Sequence, residues 1–284
     1  MEYATGIFLK SQDVVEQKQL DKFRVWFDNY VAGFYGDDEI INASLKLKEE
    51  HSRRTCKEML YLAGELGLDE NQKRLSETIA LFHDIGRFEQ FVKYNTYSDV
   101  RSVDHCRLGL EVLRQTKVLD GLDRQEKQLI EKAIELHGRK ELPEDLDGRF
   151  LLLSKLIRDA DKIDALYVVT EYYKQYRDNP QEFRLDLELP DVPVCSAEVV
   201  EGLLLGQRVD YSRLRTLNDL KLCLLGWVYD VNFTPTLKRI KQRKYLEKLL
   251  GFLPVTEDIE RVKEKIFGYL DSRLKKQTGL SLSD

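Results

Sequence analysis

Apolar residues recur at spacings of three and four over most of the 284-residue chain, and only six prolines interrupt the pattern. That period puts side chains on one face of an α-helix, so the expected fold class is all-α. The spacing predicts helices near 13–35, 38–67, 70–84, 102–116, 123–137 and 148–176. Further helices are predicted near 196–206, 212–231, 234–250 and 256–276. Asp123 followed by Glu126 suits a capping box, and Gly138 suits a helix stop. Two segments break the pattern. Residues 85–101, "IGRFEQFVKYNTYSDVR", read as a short turn and then an aromatic and basic loop. Residues 177–195 hold three of the six prolines, and the alternation in "FRLDLEL" predicts a short strand or hairpin near 183–189. These breaks suggest an N-terminal helix at 1–37, a helical domain at 38–176 and a C-terminal helical extension at 177–284 packed on it.

A hydrophobic share of 42% and a charged share of 33% describe an ordinary globular chain rather than a disordered one. The net charge of −5 argues against a nucleic-acid footprint over the whole surface, while a positive pocket for a small polyanion stays compatible with it. Cys56, Cys106, Cys195 and Cys223 are scattered without a C-x-x-C pair, which is expected of reduced thiols in a cytoplasm. No secretory pattern opens "MEYATGIFLK". The longest apolar runs, "LLLSKLI" and "LCLLGWVY", fall well short of the roughly 20 residues of a membrane span, so no membrane partner is expected. The basic run "LKRIKQRK" is expected to be a solvated helix face.

The four histidines carry the chemistry. His83 and Asp84 stand side by side in "LFHDIGRF" at the end of a predicted helix. His83 follows the stripe of Leu75 and Ile79, and His51 lies on the stripe of Met59, Leu62 and Leu66. His105 shares a face with Leu108 and Val112, and His137 with Ile130 and Ala133. Asp161 falls on the stripe of Leu153, Ile157 and Val168. A single histidine on an apolar face is usually an ordinary core residue. All four, joined by an inward aspartate, point instead to a metal centre, because a buried carboxylate needs a cation for company. Imidazoles and carboxylates converging from several helices are how helical folds build such centres.

The order H … HD … H … H … D resembles the HD-domain superfamily of metal-dependent phosphohydrolases. The matching pieces are "KEEHSRR", "LFHDIGRF", "DHCRLG", "IELHG" and "RDADKID", over about residues 40–175. The resemblance implies a helical domain with a metal held by His51, His83, Asp84 and Asp161. Of the three aspartates in "RDADKID" it selects Asp161; Asp159 points off the stripe, and Asp164 lies on it one turn later. Dinuclear members of the superfamily add two histidines before the last aspartate. His105 and His137 fit those places, with Asp84 bridging the ions. In a mononuclear site the same two histidines would instead act as a general acid or bind phosphate. The cyclic-dinucleotide branch is disfavoured, because its paired histidine and GYP signature are missing.

The resemblance implies hydrolysis of a phosphate ester or anhydride by metal-activated water. Catalysis then falls to Asp84, His105, His137 and Arg87, where Arg87 follows the metal pair by one helical turn. Arg87, Arg54, Lys93 and Arg101 are the candidate substrate-binding cations. The competing reading of Arg87 is a surface ion pair with Glu89 or Glu111, and Arg158 and Lys162 suit solvent equally well. Tyr94 and Tyr97 are expected to pack rather than to stack on a base. The histidine-rich ligand set favours one or two ions of Mn, Fe, Co, Ni or Zn over Mg. The expected partner is a small phosphorylated substrate, a nucleotide foremost, and self-association stays open. Two rival functions share the ligand order. One is a mixed-valent di-iron oxygenase acting on a small polar substrate, and the other is a binding module that keeps its metal without turnover.

Overall fold

Aspartate side chains start most of the helices that carry the histidines. In the computed structural model, which describes residues 15–179 and 189–278, twelve α-helices and no strand occur among the described residues. Asp38 accepts from the backbone N–H of Ile40 and Ile41 and opens α2 (Glu39–Glu65). Asp69 forms a reciprocal capping box with Gln72 and opens α3 (Glu70–Phe82). Asp104 opens α5 (His105–Gln115), Asp123 opens α6 (Arg124–His137), and Asp147 caps the start of α7 (Gly148–Asp178). Each cap supplies an acceptor to N–H groups that the helix cannot satisfy itself, and places negative charge at the positive end of the dipole. Gly138 caps α6, as its position predicts.

The chain falls into two compact units whose sequence boundary lies between Asp164 and Ala165. In the first, α1 (Gln17–Ala32) buries Leu20, Phe23, Phe27 and Val31 and packs on α3, with Phe23 and Phe82 rings edge-to-face at 5.5 Å. Full burial of such side chains is worth about 1.5–3 kcal/mol each. Helices α2 and α3 pack along one another, and α3 also touches α6. Residues 86–94, expected as part of a loop, form a further helix, α4 (Gly86–Tyr94). Its signal is the i, i+3 stripe of Ile85, Phe88 and Phe91, all buried, and the left-handed Asn95 (φ 52°) ends it. Helix α4 lies directly on α5. A Cβ on Gly86 would collide with the carbonyl oxygen of His105 and stand 2.5 Å from the amide of Gly109, so only glycine permits this approach.

The second unit holds α8 (Ala197–Leu204), α9 (Leu217–Leu225), α10 (Thr234–Gln242), α11 (Tyr245–Leu250) and α12 (Glu257–Thr278). Helix α12 packs on α8 and α10, burying Val262, Ile266 and Leu270. Two expected single helices are divided. The stretch 212–231 becomes a short 3₁₀ turn, α9, and a second 3₁₀ turn that begins at Gly226, where the helical hydrogen bonding tightens. The stretch 234–250 breaks at Lys244, whose φ of 55° no helix can contain. Lys238, Lys241 and Lys244 of the basic run are exposed, in keeping with a solvated face. The strand expected near 183–189 falls on 183–188, outside the described residues. No helix among the described residues is long and apolar enough to cross a membrane.

Candidate metal centre

Four helices and one turn deliver the donors. His51 sits midway along α2, His83 and Asp84 form the turn between α3 and α4, His105 is the first residue of α5, and His137 is the last of α6. Asp161 and Asp164 lie one turn apart on α7. All four imidazoles and Asp84 are buried, while the Asp161 side chain is 32% exposed.

The donors form two groups that share Asp84. In the first, His51 Nε2 lies 3.3 Å from His83 Nε2 and 3.2 Å from Asp161 Oδ1. Asp84 Oδ2 stands 3.6 Å and 3.8 Å from the same two nitrogens. In the second, His105 Nε2 and His137 Nε2 are 3.1 Å apart, with Asp84 Oδ1 at 3.5 Å and 3.6 Å from them.

Every Nδ1 is already engaged. His83 Nδ1 donates to the Ala80 carbonyl and His137 Nδ1 to the Ile134 carbonyl, each at 2.7 Å. His51 Nδ1 meets Asp164 Oδ2 at 2.7 Å, and His105 Nδ1 meets Asp99 Oδ2 at 2.6 Å. These acceptors fix the tautomers with Nδ1 protonated, so each Nε2 turns a lone pair toward its neighbour. Lone pairs facing each other near 3 Å, ringed by carboxylate oxygens, repel unless a cation or a proton lies between them. The donor set therefore fits divalent metal, in either group.

Titration behaviour follows from the same contacts. Burial tends to raise Asp84, but Lys48, His83, His137 and Arg87 outweigh it and hold the carboxyl well below the usual range. Asp161 is likewise lowered against its burial by His51. Burial pulls the His83 imidazole down to about 4. It acts the same way on His51, where hydrogen bonds to Asp161 and Asp164 win and raise the group. His105 and His137 are raised against burial too, the first mainly by Asp99 and the second by Cys106 and Asp84. The carboxylates are thus held low and three of the four imidazoles are raised, while His83 alone is lowered.

A family model described as HD domain matches residues 49–166. This chain carries an HD domain. No curated protein and no solved structure matches it. The matched span of the HD domain contains His51, His83, Asp84, His105, His137, Asp161 and Asp164.

The expected cations fare differently. Arg87 pairs with Asp84 (Nε to Oδ1, 3.5 Å) and with Asp99 (Nη1 to Oδ1, 2.7 Å), and it also donates to Gln90 and to the Tyr97 carbonyl. It thus braces two residues of the centre instead of joining Glu89 or Glu111. Arg54 grips Asp164 with two nitrogens, at 2.7 Å and 3.2 Å, and so stands behind the His51 partner. Lys93 pairs with Glu89 on the exposed side of α4, and Arg101 is exposed with its guanidinium on Thr96. Lys93 is thereby turned to Glu89 and away from the cluster. Tyr97 packs on Phe91 with ring centroids 4.6 Å apart and donates to the Ser44 carbonyl.

Two expectations on α7 need correction. Asp159 does not point off the core, since it is fully buried. Arg158 and Lys162 are buried as well. The cause is that α7 is covered on nearly all sides here, with Leu156, Ile157, Ala160 and Ile163 all at 0% exposure. Arg158 spends its charge on the carbonyls of Leu136, His137, Arg139 and Lys140, which closes the end of α6 just where His137 sits.

Sequence reasoning passed over three neighbours of the centre. Lys48 lies one turn before His51 on the same face, and its Nζ is 2.8 Å from Asp84 Oδ2 and 5.2 Å from the Tyr97 ring centre. The i, i+3 spacing to His51 was a usable signal. Asp99, which holds His105, comes from the loop after α4 and has no periodic signature. Cys106 touches both His105 and His137.

Proposed function

We propose that the HD domain hydrolyses a phosphate ester or anhydride of a nucleotide or a related small phosphorylated metabolite. The observation that carries this reading is Asp84, whose two oxygens face two separate imidazole pairs. His51, His83, Asp84 and Asp161 would hold one divalent ion, and His105, His137 and Asp84 a second, from among Mn, Fe, Co, Ni and Zn. Bound there, such ions neutralise phosphoryl oxygens and acidify water near neutral pH.

The chain's own residues supply the rest. Lys48 bonds to Asp84 Oδ2, an oxygen that a cation would claim, so its ammonium is placed to turn to a substrate phosphate instead. Arg87 and Asp99 keep His105 aimed at Asp84, and Asp164 with Arg54 does the same for His51. Arg87 thus serves best as a positioning residue.

The test is phosphate release by metal-loaded protein from nucleoside mono-, di- and triphosphates, cyclic nucleotides and phosphorylated sugars, beside an Asp84→Asn control. Turnover in the wild type alone supports the reading. Oxygen consumption by the iron-loaded protein without phosphate release would favour the di-iron oxygenase. Silence in both assays from a metal-replete sample would favour a binding module.

A further inference from the structure

Cys106 follows His105 at the start of α5, and its thiol is turned into the second imidazole pair. Sγ lies 3.4 Å from His105 Nε2 and 3.5 Å from His137 Nδ1, in a residue that is only 5% exposed. One donor atom from each of His105, Cys106 and His137 lies within 4.8 Å of the other two. The space is kept open by Gly138, where a Cβ would stand 2.9 Å from Sγ and 3.1 Å from His105 Cε1.

The separations resemble the edges of a coordination polyhedron. Zinc bonds of about 2.3 Å to sulfur and 2.0–2.1 Å to nitrogen give tetrahedral edges of about 3.6 Å for S···N and about 3.3 Å for N···N. Here His105 Nε2 is 3.4 Å from Sγ, 3.1 Å from His137 Nε2 and 3.5 Å from Asp84 Oδ1, and the sulfur approaches the His137 ring on its Nδ1 side.

We propose that Cys106 is a ligand of the second ion, together with His105, His137 and Asp84, so that this position takes a thiophilic divalent cation such as Zn, Co or Fe. The inference rests on the reading of His105 and His137 as metal ligands. On binding, the thiol gives its proton to solvent and sulfur donates an electron pair to the cation. The first position has only imidazole and carboxylate donors and lacks this preference. The two positions thus differ in the metal they favour.

Cobalt(II) titration of metal-free protein tests this without any assay of turnover. Visible ligand-field bands count the ions bound, and a near-ultraviolet thiolate-to-cobalt band reports sulfur coordination. The expected result is a sulfur band in the wild type that is lost in Cys106→Ser. The same variant should lose zinc affinity at one position by more than the roughly 10–100-fold that losing an outer partner costs. Two cobalt ions bound without a sulfur band would overturn the proposal while leaving the two-ion reading intact. A band that persists in Cys106→Ser would also overturn it. A wild type that binds one cobalt with no sulfur band would sink both.

Discussion

Asp164 holds Nδ1 of His51 at 2.7 Å, and Asp164 is itself held by both Nε and Nη2 of Arg54. The charge of Arg54 therefore reaches the metal position through the orientation and basicity of an imidazole. Asp164→Ala should weaken metal binding at the His51 position by about 10–100-fold and leave the other position unchanged. Competition against a chelating dye measures it. Equal affinity in variant and wild type would remove Asp164 from the account.

Arg54→Ala should act on the same position, more weakly. In a double-mutant cycle the two changes should be non-additive, because Arg54 has its effect through Asp164. If Arg54→Ala instead raises KM with metal binding untouched, Arg54 contacts substrate directly.

Lys48 offers a kinetic test. Lys48→Ala removes a cation 2.8 Å from Asp84 but no metal donor. Metal content should persist while kcat/KM falls, by roughly tenfold or more for a lost charge-assisted hydrogen bond of about 1.5–3 kcal/mol. Loss of metal in this variant would make Lys48 a structural partner of Asp84.

Arg158 concerns stability rather than chemistry. Its guanidinium is buried and donates to several carbonyls at the end of α6. Arg158→Ala strips those acceptors of their donor, at a cost of about 1–3 kcal/mol. Thermal unfolding of metal-free protein should show a lowered Tm, with Arg158→Lys in between. An unchanged Tm would mean that the carbonyls find other partners.

The all-α class was legible because amphipathic periodicity is a local property of the chain. The histidines were legible for the same reason, as each sits on the stripe of a helix or, like His83, just past its end. What escaped was non-local. Nothing near Asp99 signals that it reaches His105, and nothing near Arg158 signals a helix end 21 residues away. Arg54 and Lys93 were chosen for charge and closeness in sequence, yet Asp164 and Glu89 claim them. Helix α4 was missed because its single stripe of Ile85, Phe88 and Phe91 spans barely two turns. The break at Lys244 has no glycine or proline to announce it.

The most direct measurement of the central claim, that Asp84 serves two ions, is metal content after saturation and removal of excess. Wild-type protein loaded with Fe or Co should hold about two ions per chain, and Asp84→Asn, a near-isosteric change that keeps the helices by circular dichroism, should lose most of both. His51→Ala should lose only the first and His137→Ala only the second, because each contributes to one position. A wild type that saturates at one ion, or an Asp84→Asn variant that keeps two, would contradict the account.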